Sequence, residues 1–350
     1  SLEDLLGREQ VTLDQQGIGQ EIRYKVLLVS GGGGSIGAEL CRQIAAYCPA
    51  RLVIVDQSEC ALFTIEQELR GTLPDIQILP ILMDVCDKVG LEALFKALKP
   101  QIVLHAAAYK HVPLLESQLR QALHNNIIGT YTLAAVSAEA GVDKFLLVSS
   151  DKAVHPTNVM GATKRASELI CSAFNQICKT HFLIVRFGNV LDSAGSVIPT
   201  FRRQLKAGGP LTVTHPDITR FFMTIPEAVQ LILQALTIGK GGELFVLDMG
   251  EPIKIRFLAE QMIRLAGKKV GEDIDIQYIG LRPGEKLYEE LFYPEETLKP
   301  TQHVKIFRSI GEQMRDILPQ VKHLEKLCAK SVNNAAVMAS LQEMVPEWTG

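Results

Sequence analysis

The sequence has little of what would mark a nucleic-acid-binding, secreted or membrane-spanning protein. Its 36 basic and 39 acidic residues give a net charge of −3, and such a surface attracts neither nucleic acid nor anionic lipid as a main partner. Seven cysteines occur without a C-x-x-C pair, which favours reduced thiols over disulfides or a metal site. Apolar runs long enough to cross a bilayer and signal-peptide patterns are both absent. We therefore expect these residues to be cytoplasmic, with no metal and no nucleic-acid partner.

The 350 residues, 47% of them hydrophobic, can bury a large core, and their pattern indicates the fold class. Short apolar runs at 25–29, 51–55, 76–82, 102–106, 144–149 and 182–186 alternate with helical patterns such as 36–46 and 92–98. This alternation predicts an α/β fold with a Rossmann-like, doubly wound parallel sheet. After residue 190 it gives way to turns rich in glycine and proline, which predict a smaller C-terminal substrate-binding lobe. The expected organisation is an arm at 1–24, a dinucleotide-binding domain at 25–190, a lobe at 191–310 with chain returns to the core, and a helical segment at 311–350.

A glycine-rich loop follows the first predicted strand and opens a helix. Its glycines at 31, 34 and 37 fit G-x-x-G-x-x-G, where a side chain would block the tight turn, the approach to a pyrophosphate or the packing of helix on strand. The N-terminus of the helix presents backbone N–H groups to phosphate. The loop therefore predicts dinucleotide binding through Gly31, Gly34, Ser35, Ile36 and Gly37.

Asp56 ends the second predicted strand, nineteen residues beyond Gly37. A carboxylate in this place accepts hydrogen bonds from the adenosine ribose and repels a 2′-phosphate, which favours NAD over NADP. The alternative is a flexible loop followed by a solvated acid, but strand, glycines, helix and acid in register favour the cofactor site. Further cofactor contacts are predicted where the third and fourth strands end, although these residues could be strand ends alone: Asp84, Val85, Ala106 and Ala107.

Met160 and Lys164 lie one helical turn apart after the fifth predicted strand, the spacing at which a tyrosine–lysine pair would be held over a nicotinamide. A thioether cannot accept a proton. Either the protein is catalytically inactive, or the neighbouring Asp151 and Lys152 have taken over the proton chemistry. The alternatives are a solvated ion pair on a loop and a core methionine.

Several further motifs accompany this run and together resemble those of a known family. They are residues 3–8, 105–113 with His105 and Lys110, Asn125 and Asn126, 149–152, 160–164, 186–190, 219–223, 280–286 and Thr301-x-His303. The whole set resembles the extended short-chain dehydrogenase/reductases and, more narrowly, the CapD-like polysaccharide-biosynthesis proteins, which are UDP-N-acetylglucosamine 4,6-dehydratases. The resemblance covers nearly the whole chain. Large membrane-anchored members of that family carry methionine where smaller soluble relatives carry tyrosine.

The resemblance implies an internal redox dehydration of UDP-N-acetylglucosamine with NAD as cofactor. Hydride leaves sugar C4, water is eliminated across C5 and C6, and the hydride returns to C6. By motif position, Lys152 is the base at C5, Asp151 the acid for the 6-hydroxyl, and Lys164 orients the nicotinamide ribose, while Ser150 lies near the 4-hydroxyl. A modest lowering of the Lys152 pKa would suffice, because the 4-ketone acidifies C5. The acceptor of the C4 hydroxyl proton stays open between Ser150 with a water and a relay through Lys164.

The resemblance also implies substrate contacts in the second lobe. Arg282 is expected on the diphosphate and Glu285 on the uridine ribose, while Asn189 holds the substrate through its amide. The remaining expected contacts are Lys110, Ser196, Val197, Pro199 and Arg220. Each of these residues could instead be a surface turn residue.

Three functions remain open at this point. The first is a C5-retaining 4,6-dehydratase that supplies a 4-keto-6-deoxy sugar for surface polysaccharide or glycoprotein. The second is a UDP-hexosamine 4-epimerase, which normally depends on tyrosine, and the third is a non-catalytic NAD-binding sensor or scaffold. A homo-oligomer is expected, with helices near 89–99 and 160–177 as its pairing surface. The chain begins at Ser1 rather than methionine, so we expect it to be part of a longer protein. The resemblance implies N-terminal transmembrane helices in the full-length protein, which would hold this domain at the cytoplasmic face of the membrane.

Overall fold

The structure is a computed structural model that describes residue 7 and residues 11–311, 315–329 and 333–350. Its centre is a nine-stranded sheet, and the predicted α/β class with a large parallel sheet is confirmed. Much of the predicted arm and nearly all of the motif at residues 3–8 lie outside the described residues. The described part of the arm contains a short helix that Asp14 caps by accepting a hydrogen bond from the Gly17 N–H.

The main sheet has the strand order β14-β15-β11-β6-β5-β4-β1-β2-β3. Strands β1 to β6 and β11 are parallel, whereas β15 and β14 add an antiparallel edge. The six predicted strands correspond to β1–β6 with boundary shifts of at most two residues. The strands are β1 Val26–Ser30, β2 Arg51–Asp56, β3 Ile78–Leu82, β4 Ile102–His105, β5 Lys144–Val148, β6 His181–Arg186, β7 Asn189–Val190, β8 Leu211–Val213, β9 Thr219–Arg220, β10 Phe222–Met223, β11 Leu244–Leu247, β12 Ile253–Lys254, β13 Ile276–Tyr278, β14 Thr297–Pro300 and β15 Ile306–Ile310.

Helices cover both faces of this sheet because its strands are apolar on both sides. In β5, Phe145 and Leu147 face one core cluster, whereas Leu146 and Val148 face the other. The helices are α1 Gln15–Ile22, α2 Ser35–Ala46, α3 Glu59–Thr72, α4 Lys88–Leu98, α5 Val112–Ser117, α6 Leu119–Leu123, α7 Gly129–Ala140, α8 Val159–Ile177, α9 Val197–Lys206, α10 Ile225–Ile238, α11 Ile255–Leu265, α12 Leu318–Ala329 and α13 Asn334–Met344. Among the described residues, no helix is both long enough and apolar enough to span a membrane.

The chain beyond residue 190 builds a smaller core and also returns to the main sheet. Helices α9 and α11 pack with β8 around Phe201, Leu211 and Met262. Strands β11, β14 and β15 lie in the same stretch of chain but extend the central sheet. The division at residues 190 and 310 stays a prediction.

Helix α8 is buried along nearly its whole length. Every residue from Val159 to Phe174 is buried, because α7, α5, α6 and the C-terminal helix α13 surround the helix within one chain. No face of these residues is free for a second copy. The hypothesis that the helix at 160–177 pairs across a dimer is therefore wrong for this part of the helix.

The loops that build the site follow the C-terminal ends of β1, β4, β5 and β6. Neighbours β1 and β4 mark the point where the strand order reverses, which is where ligands bind in open parallel sheets. A segment of the second lobe, residues 284–293, closes over the loop after β5. The side chains of Thr157 and Asn158 donate to the Gly284 carbonyl, and Lys286 Nζ donates to the Val154 carbonyl at 2.8 Å.

Candidate active site

A cavity of about 780 Å³ opens at this edge of the sheet. Of the residues singled out from the sequence, thirteen line it: Gly31, Gly34, Ser35, Ile36, Gly37, Ala106, Lys110, Ser150, Lys152, Met160, Lys164, Asn189 and Ser196. The glycine loop and the residues around Asp151 therefore share one cavity, although more than 100 residues separate them in the chain.

The glycine loop is packed so closely that side chains would not fit. Gly31 has a φ of +69°, and a Cβ there would lie 2.6 Å from the Ala107 Cα. A Cβ on Gly37 would collide with the Gly31 carbonyl oxygen. These contacts leave the start of α2 open to the cavity, as the sequence motif requires.

The three residues predicted at the adenosine end do not border the cavity. Asp56 accepts hydrogen bonds from the backbone N–H of Gly33 and of Ser58, each at 2.8 Å. Asp84 accepts from the Cys86 N–H at 2.9 Å, and Val85 is buried in the core. Their contacts with a cofactor stay predictions.

Asp151 and Lys152 form the polar centre of the site in a 3-10 turn after β5. The Asp151 side chain is fully buried, and its Oδ1 accepts hydrogen bonds from Ser150 Oγ and from Lys152 Nζ, both at 3.0 Å. Lys152 Nζ also donates to Asn189 Oδ1 at 3.0 Å. The alternative of a solvated surface pair is wrong, because Asp151 is fully buried and only 19% of the Lys152 side chain is exposed.

A second carboxylate, Glu289, reaches this centre from the segment that closes over it. Its Oε1 lies 3.6 Å from Lys152 Nζ and 3.7 Å from Arg220 Nε, and its side chain is only 3% exposed. Burial raises the pKa of Glu289, and the nearby Asp151 carboxylate adds to that rise. Sequence reasoning missed this residue, although it lies four positions after Glu285 and just beyond the motif at 280–286.

The pKa of Lys152 is raised rather than lowered. Burial alone would lower it, but the Asp151 and Glu289 carboxylates outweigh burial and raise the pKa of Lys152 above its ordinary value. The modest lowering that would suffice for a base at C5 is therefore not what the structure shows. A base at this position has to lose its proton to a neighbour first.

Met160 and Lys164 project from the first turns of α8 toward the cavity, as their spacing predicts. Lys164 Nζ donates to the Val148 carbonyl at 2.6 Å, and burial lowers the pKa of Lys164 to about 8. Met160 is nearly buried and has no titratable group. It therefore shapes the wall without taking part in proton transfer.

The cavity wall is cationic. Lys110, Lys152 and Lys164 line it, whereas no aspartate or glutamate of the described ranges does. Burial lowers the pKa of Lys110, and the neighbouring Lys152 charge adds to this. Such a wall suits a ligand that carries phosphate groups.

Only part of the predicted substrate set reaches the cavity. Ser196 lines it, and its buried Oγ has no hydrogen-bond partner in the described part of the chain. Arg220 instead donates to the carbonyls of Thr219, Lys286 and Leu287 and so fixes the segment that carries Glu289. The others lie away from the wall: Val197 and Pro199 in the first turn of α9, exposed Arg282, and Glu285, whose Oε2 accepts from the Arg282 N–H.

Comparison with known families gives one match over most of the chain. The family described as "Polysaccharide biosynthesis protein" matches residues 27–310. The capsular polysaccharide biosynthesis protein CapD of Staphylococcus aureus is 50% identical over 309 residues, 88% of this chain and 51% of that protein. The chain thus spans about half the length of this relative.

Two other relatives match over most of their own length. A Methanocaldococcus jannaschii protein described as an uncharacterized membrane protein is 45% identical over 80% of this chain and 84% of its own. A UDP-glucose 4-epimerase of Rickettsia akari is 33% identical over 79% of this chain and 80% of its own.

Solved structures share the fold. Pen from Bacillus thuringiensis superposes with a TM-score of 0.75 at 31% identity and covers 84% of this chain and 92% of its own. The dTDP-glucose 4,6-dehydratase DesIV of Streptomyces venezuelae, determined with NAD bound, has a TM-score of 0.65 at 22% identity and covers 75% and 86%. At that identity the second likeness establishes the fold alone.

Proposed function

This chain belongs to the family of polysaccharide biosynthesis proteins, and we propose that it is a nucleotide-sugar 4,6-dehydratase that acts on UDP-N-acetylglucosamine. The observation that carries the proposal is the hydrogen-bonded group of Ser150, Asp151, Lys152 and Asn189, in which the buried Asp151 lies directly behind three residues that line the glycine-loop cavity. An elimination needs an acid and a base side by side, and this group provides both.

NAD is the proposed cofactor. The glycine loop leaves the space that a pyrophosphate needs at the start of α2, and Asp56 stands at the end of β2 where a ribose diol would be bound. When bound, NAD would accept a hydride from sugar C4 and return it to C6. The chain would hold it through Gly31, Gly34, Gly37 and the ammonium group of Lys164.

Asp151 is proposed to receive the proton of the sugar 4-hydroxyl, a task that Met160 cannot perform. Ser150 Oγ donates its hydrogen bond to Asp151 Oδ1 at 3.0 Å. Ser150 can therefore pass its own proton to Asp151 while it takes the proton of the sugar hydroxyl. This relay needs neither a tyrosine nor Lys164.

The same proton then leaves with water. Lys152, as the free amine, removes the C5 proton, while protonated Asp151 donates its proton to the departing 6-hydroxyl. Lys152 later returns its proton to C5. Over the cycle one proton leaves the 4-hydroxyl and one enters the water, so Asp151 returns to its carboxylate form.

A 4-epimerase is the second candidate, because the Rickettsia relative with this activity is 33% identical over 79% of the chain. An epimerase would also use the C4 proton acceptor. It would have no use for an acid at C6 or a base at C5. The two candidates therefore differ in the fate of C5 and C6.

The test is to incubate the purified protein with NAD and UDP-N-acetylglucosamine in heavy water and follow the sugar by NMR. Deuterium at C5 together with a new C6 methyl group supports dehydration. Inversion at C4 with an intact C6 identifies an epimerase, and an unchanged sugar with NAD bound favours the sensor. Lys152→Ala should abolish the methyl signal, whereas Lys179→Ala, which replaces an exposed lysine, should leave it intact.

The wider role is proposed by analogy with the relatives. A CapD-like dehydratase would supply a 4-keto-6-deoxy sugar for capsule or glycoprotein synthesis, with retention at C5 and from a homo-oligomer. The membrane association proposed for the full-length protein would come from a region outside this chain. Fractionation of cells that express the full-length gene, with antibody against residues 11–311, tests the location.

A further inference from the structure

We propose that Glu289 is the proton store for Lys152, the residue that takes the ammonium proton and frees the amine to act at C5. The inference rests on the proposed function and adds a third titrating residue to it. In the structure, a single lysine lies between two buried carboxylates. Lys152 Nζ is 3.0 Å from Asp151 Oδ1 and 3.6 Å from Glu289 Oε1.

Both carboxylates have an oxygen left over. Asp151 Oδ2 and Glu289 Oε2 are buried and have no hydrogen-bond partner among the described residues. Buried acceptors without partners are costly, and one way to relieve the cost is to carry a proton. The two carboxylates therefore offer more hydrogen-bond acceptors than the ammonium group of Lys152 occupies.

Arg220 and Lys286 restrict where Glu289 can go. Arg220 donates to the Lys286 carbonyl at 2.8 Å, and Lys286 Nζ donates to the Val154 carbonyl, which belongs to the same loop as Lys152. The backbone that carries Glu289 is thus tied to both sides of the site. These hydrogen bonds can hold Glu289 opposite Lys152 throughout the catalytic cycle.

The proton balance of the reaction requires a residue that can take the ammonium proton of Lys152. Lys152 begins as an ammonium ion, because two carboxylates face it. When Asp151 takes the proton of the 4-hydroxyl, Glu289 is the carboxylate that remains beside the ammonium group, and the ammonium proton passes to it. The N–O separation of 3.6 Å must shorten by about half an ångström for this, which a lysine side chain can supply.

The later steps return every proton. Neutral Lys152 removes the C5 proton and becomes an ammonium ion, while Asp151 gives its proton to the 6-hydroxyl. Lys152 then gives a proton back to C5, and Glu289 returns the stored proton to the amine. Lys152 and Glu289 end in their starting charge states, and no further reactant is needed.

The first experiment compares Glu289→Gln with Glu290→Gln. Glu290 is the matched control, because it is the next residue along, is half exposed and pairs with His155 at the surface. Glutamine keeps the size of Glu289 but cannot accept the lysine proton. We expect the kcat of Glu289→Gln to fall about 100-fold at pH 7 with KM within about twofold, and the Glu290 variant to match wild type.

The pH profile separates a proton store from a structural residue. Without Glu289, only direct loss of the Lys152 proton to solvent frees the amine, so kcat of the variant should rise about tenfold per pH unit on the alkaline side. Glu289→Asp, which restores a carboxylate, should recover part of the rate and remove this slope. A fall that is the same at every pH, or no fall at all, would overturn the proposal.

A second measurement does not depend on turnover and so distinguishes failure here from failure of the dehydratase proposal. A carboxyl whose folded pKa is raised stabilises the fold below its unfolded pKa, and this contribution is lost as pH rises through the folded pKa. Glu289→Gln should therefore gain stability over wild type as pH rises above about 4.5, whereas Glu290→Gln should not. A difference that stays constant with pH, or that shifts in favour of wild type as pH rises, would mean that the pKa of Glu289 is not raised and would refute the proton store even in an active enzyme.

Discussion

The side chains of the site divide the proton chemistry according to what each can hold. Ser150 can only relay, because a hydroxyl gives one proton as it takes another. In the proposed mechanism Asp151 and Lys152 hold protons, Asp151 as a fully buried side chain and Lys152 with 19% of its side chain exposed. Met160 holds none and acts through its shape. In the proposed mechanism a neighbouring carboxylate therefore takes the place of the missing tyrosine.

Met160→Leu should keep kcat within about threefold of wild type, because a similar apolar volume fills the same place and such exchanges usually cost less than about 1.5 kcal/mol. Steady-state kinetics with UDP-N-acetylglucosamine and a thermal melt measure both effects. Met160→Ala serves as the contrast, since it opens the wall. A 100-fold loss in the leucine variant would mean that the sulfur atom contributes to the reaction.

The lowered pKa of Lys164 predicts that the free energy of unfolding depends on pH. Burial lowers the pKa of Lys164 from 10.5 to about 8, so the unfolded chain binds the extra proton between these values. The cost of the buried charge is therefore complete below pH 8 and disappears as pH rises to 10.5. Over this range the difference in unfolding free energy between wild type and Lys164→Met should change by roughly 3 kcal/mol in favour of wild type.

Urea unfolding at a series of pH values measures this difference. Lys179→Met is a suitable control, because that lysine is exposed. A gap between wild type and Lys164→Met that stays constant from pH 8 to 10.5 would contradict the lowered pKa.

At the scale of elements, the glycine loop holds α2 against β1 and β4 and thereby forms one wall of the cavity. Gly37 packs on the carbonyl of Gly31, and Gly31 packs on the backbone of Ala107. The turn, the helix start and the neighbouring strand end are thus one packed unit. Any atom added inside this unit has to displace backbone.

Gly37→Ala should abolish NAD binding, because the added methyl group collides with the Gly31 carbonyl and forces the helix away from the strand. Gly71→Ala is the matched control, since a Cβ there meets nothing within 4 Å and lies in helix α3. The control should bind NAD normally and be more stable by about 0.5–1 kcal/mol. Calorimetric titration with NAD decides the point, and tight binding by Gly37→Ala would contradict the assigned cradle.

The elements around the cofactor loop were predictable because their information is local. Apolar runs, glycine spacing and the Met160–Lys164 interval are each read within a few residues, and all reappear in the structure. Strands β11, β14 and β15 were not predicted. Strand β11 pairs with β6 and β15, which are distant in sequence, and strands β14 and β15 each follow a stretch of irregular chain. Glu289 was missed for the same reason: only tertiary packing brings it to Lys152, 137 positions earlier.

At the scale of the whole molecule, the C-terminal segment completes the core beneath the site. Val337, Leu341 and Met344 of α13 belong to the same cluster as Leu169 and Ile170 of α8, the helix that carries Met160 and Lys164. The tail, residues 333–350, also reaches the loop after β5, since the Thr349 N–H donates to the Pro156 carbonyl at 3.2 Å. The family match ends at residue 310, yet the helix that carries the site packs against this tail.

Trp348 is the largest buried side chain of this tail. It is 2% exposed, and the adjacent Glu347 accepts from Arg165 of α8 and from Arg315, each at 2.9 Å. Trp348→Ala should lower the free energy of unfolding by about 3–5 kcal/mol, because the cavity opens against α8. Chemical denaturation measures the loss, with Met338→Ala as a control on the exposed side of α13.

The number of transitions in the unfolding curve shows whether the tail folds together with the sheet. If Trp348→Ala unfolds in the same single transition as wild type but at lower denaturant, the tail and the sheet fold as one unit. A separate early transition with unchanged stability of the rest would mean that residues 333–350 are an appendage. Because the tail packs on α8 and on the loop after β5, we expect the single transition, and with it a lowered temperature limit for activity.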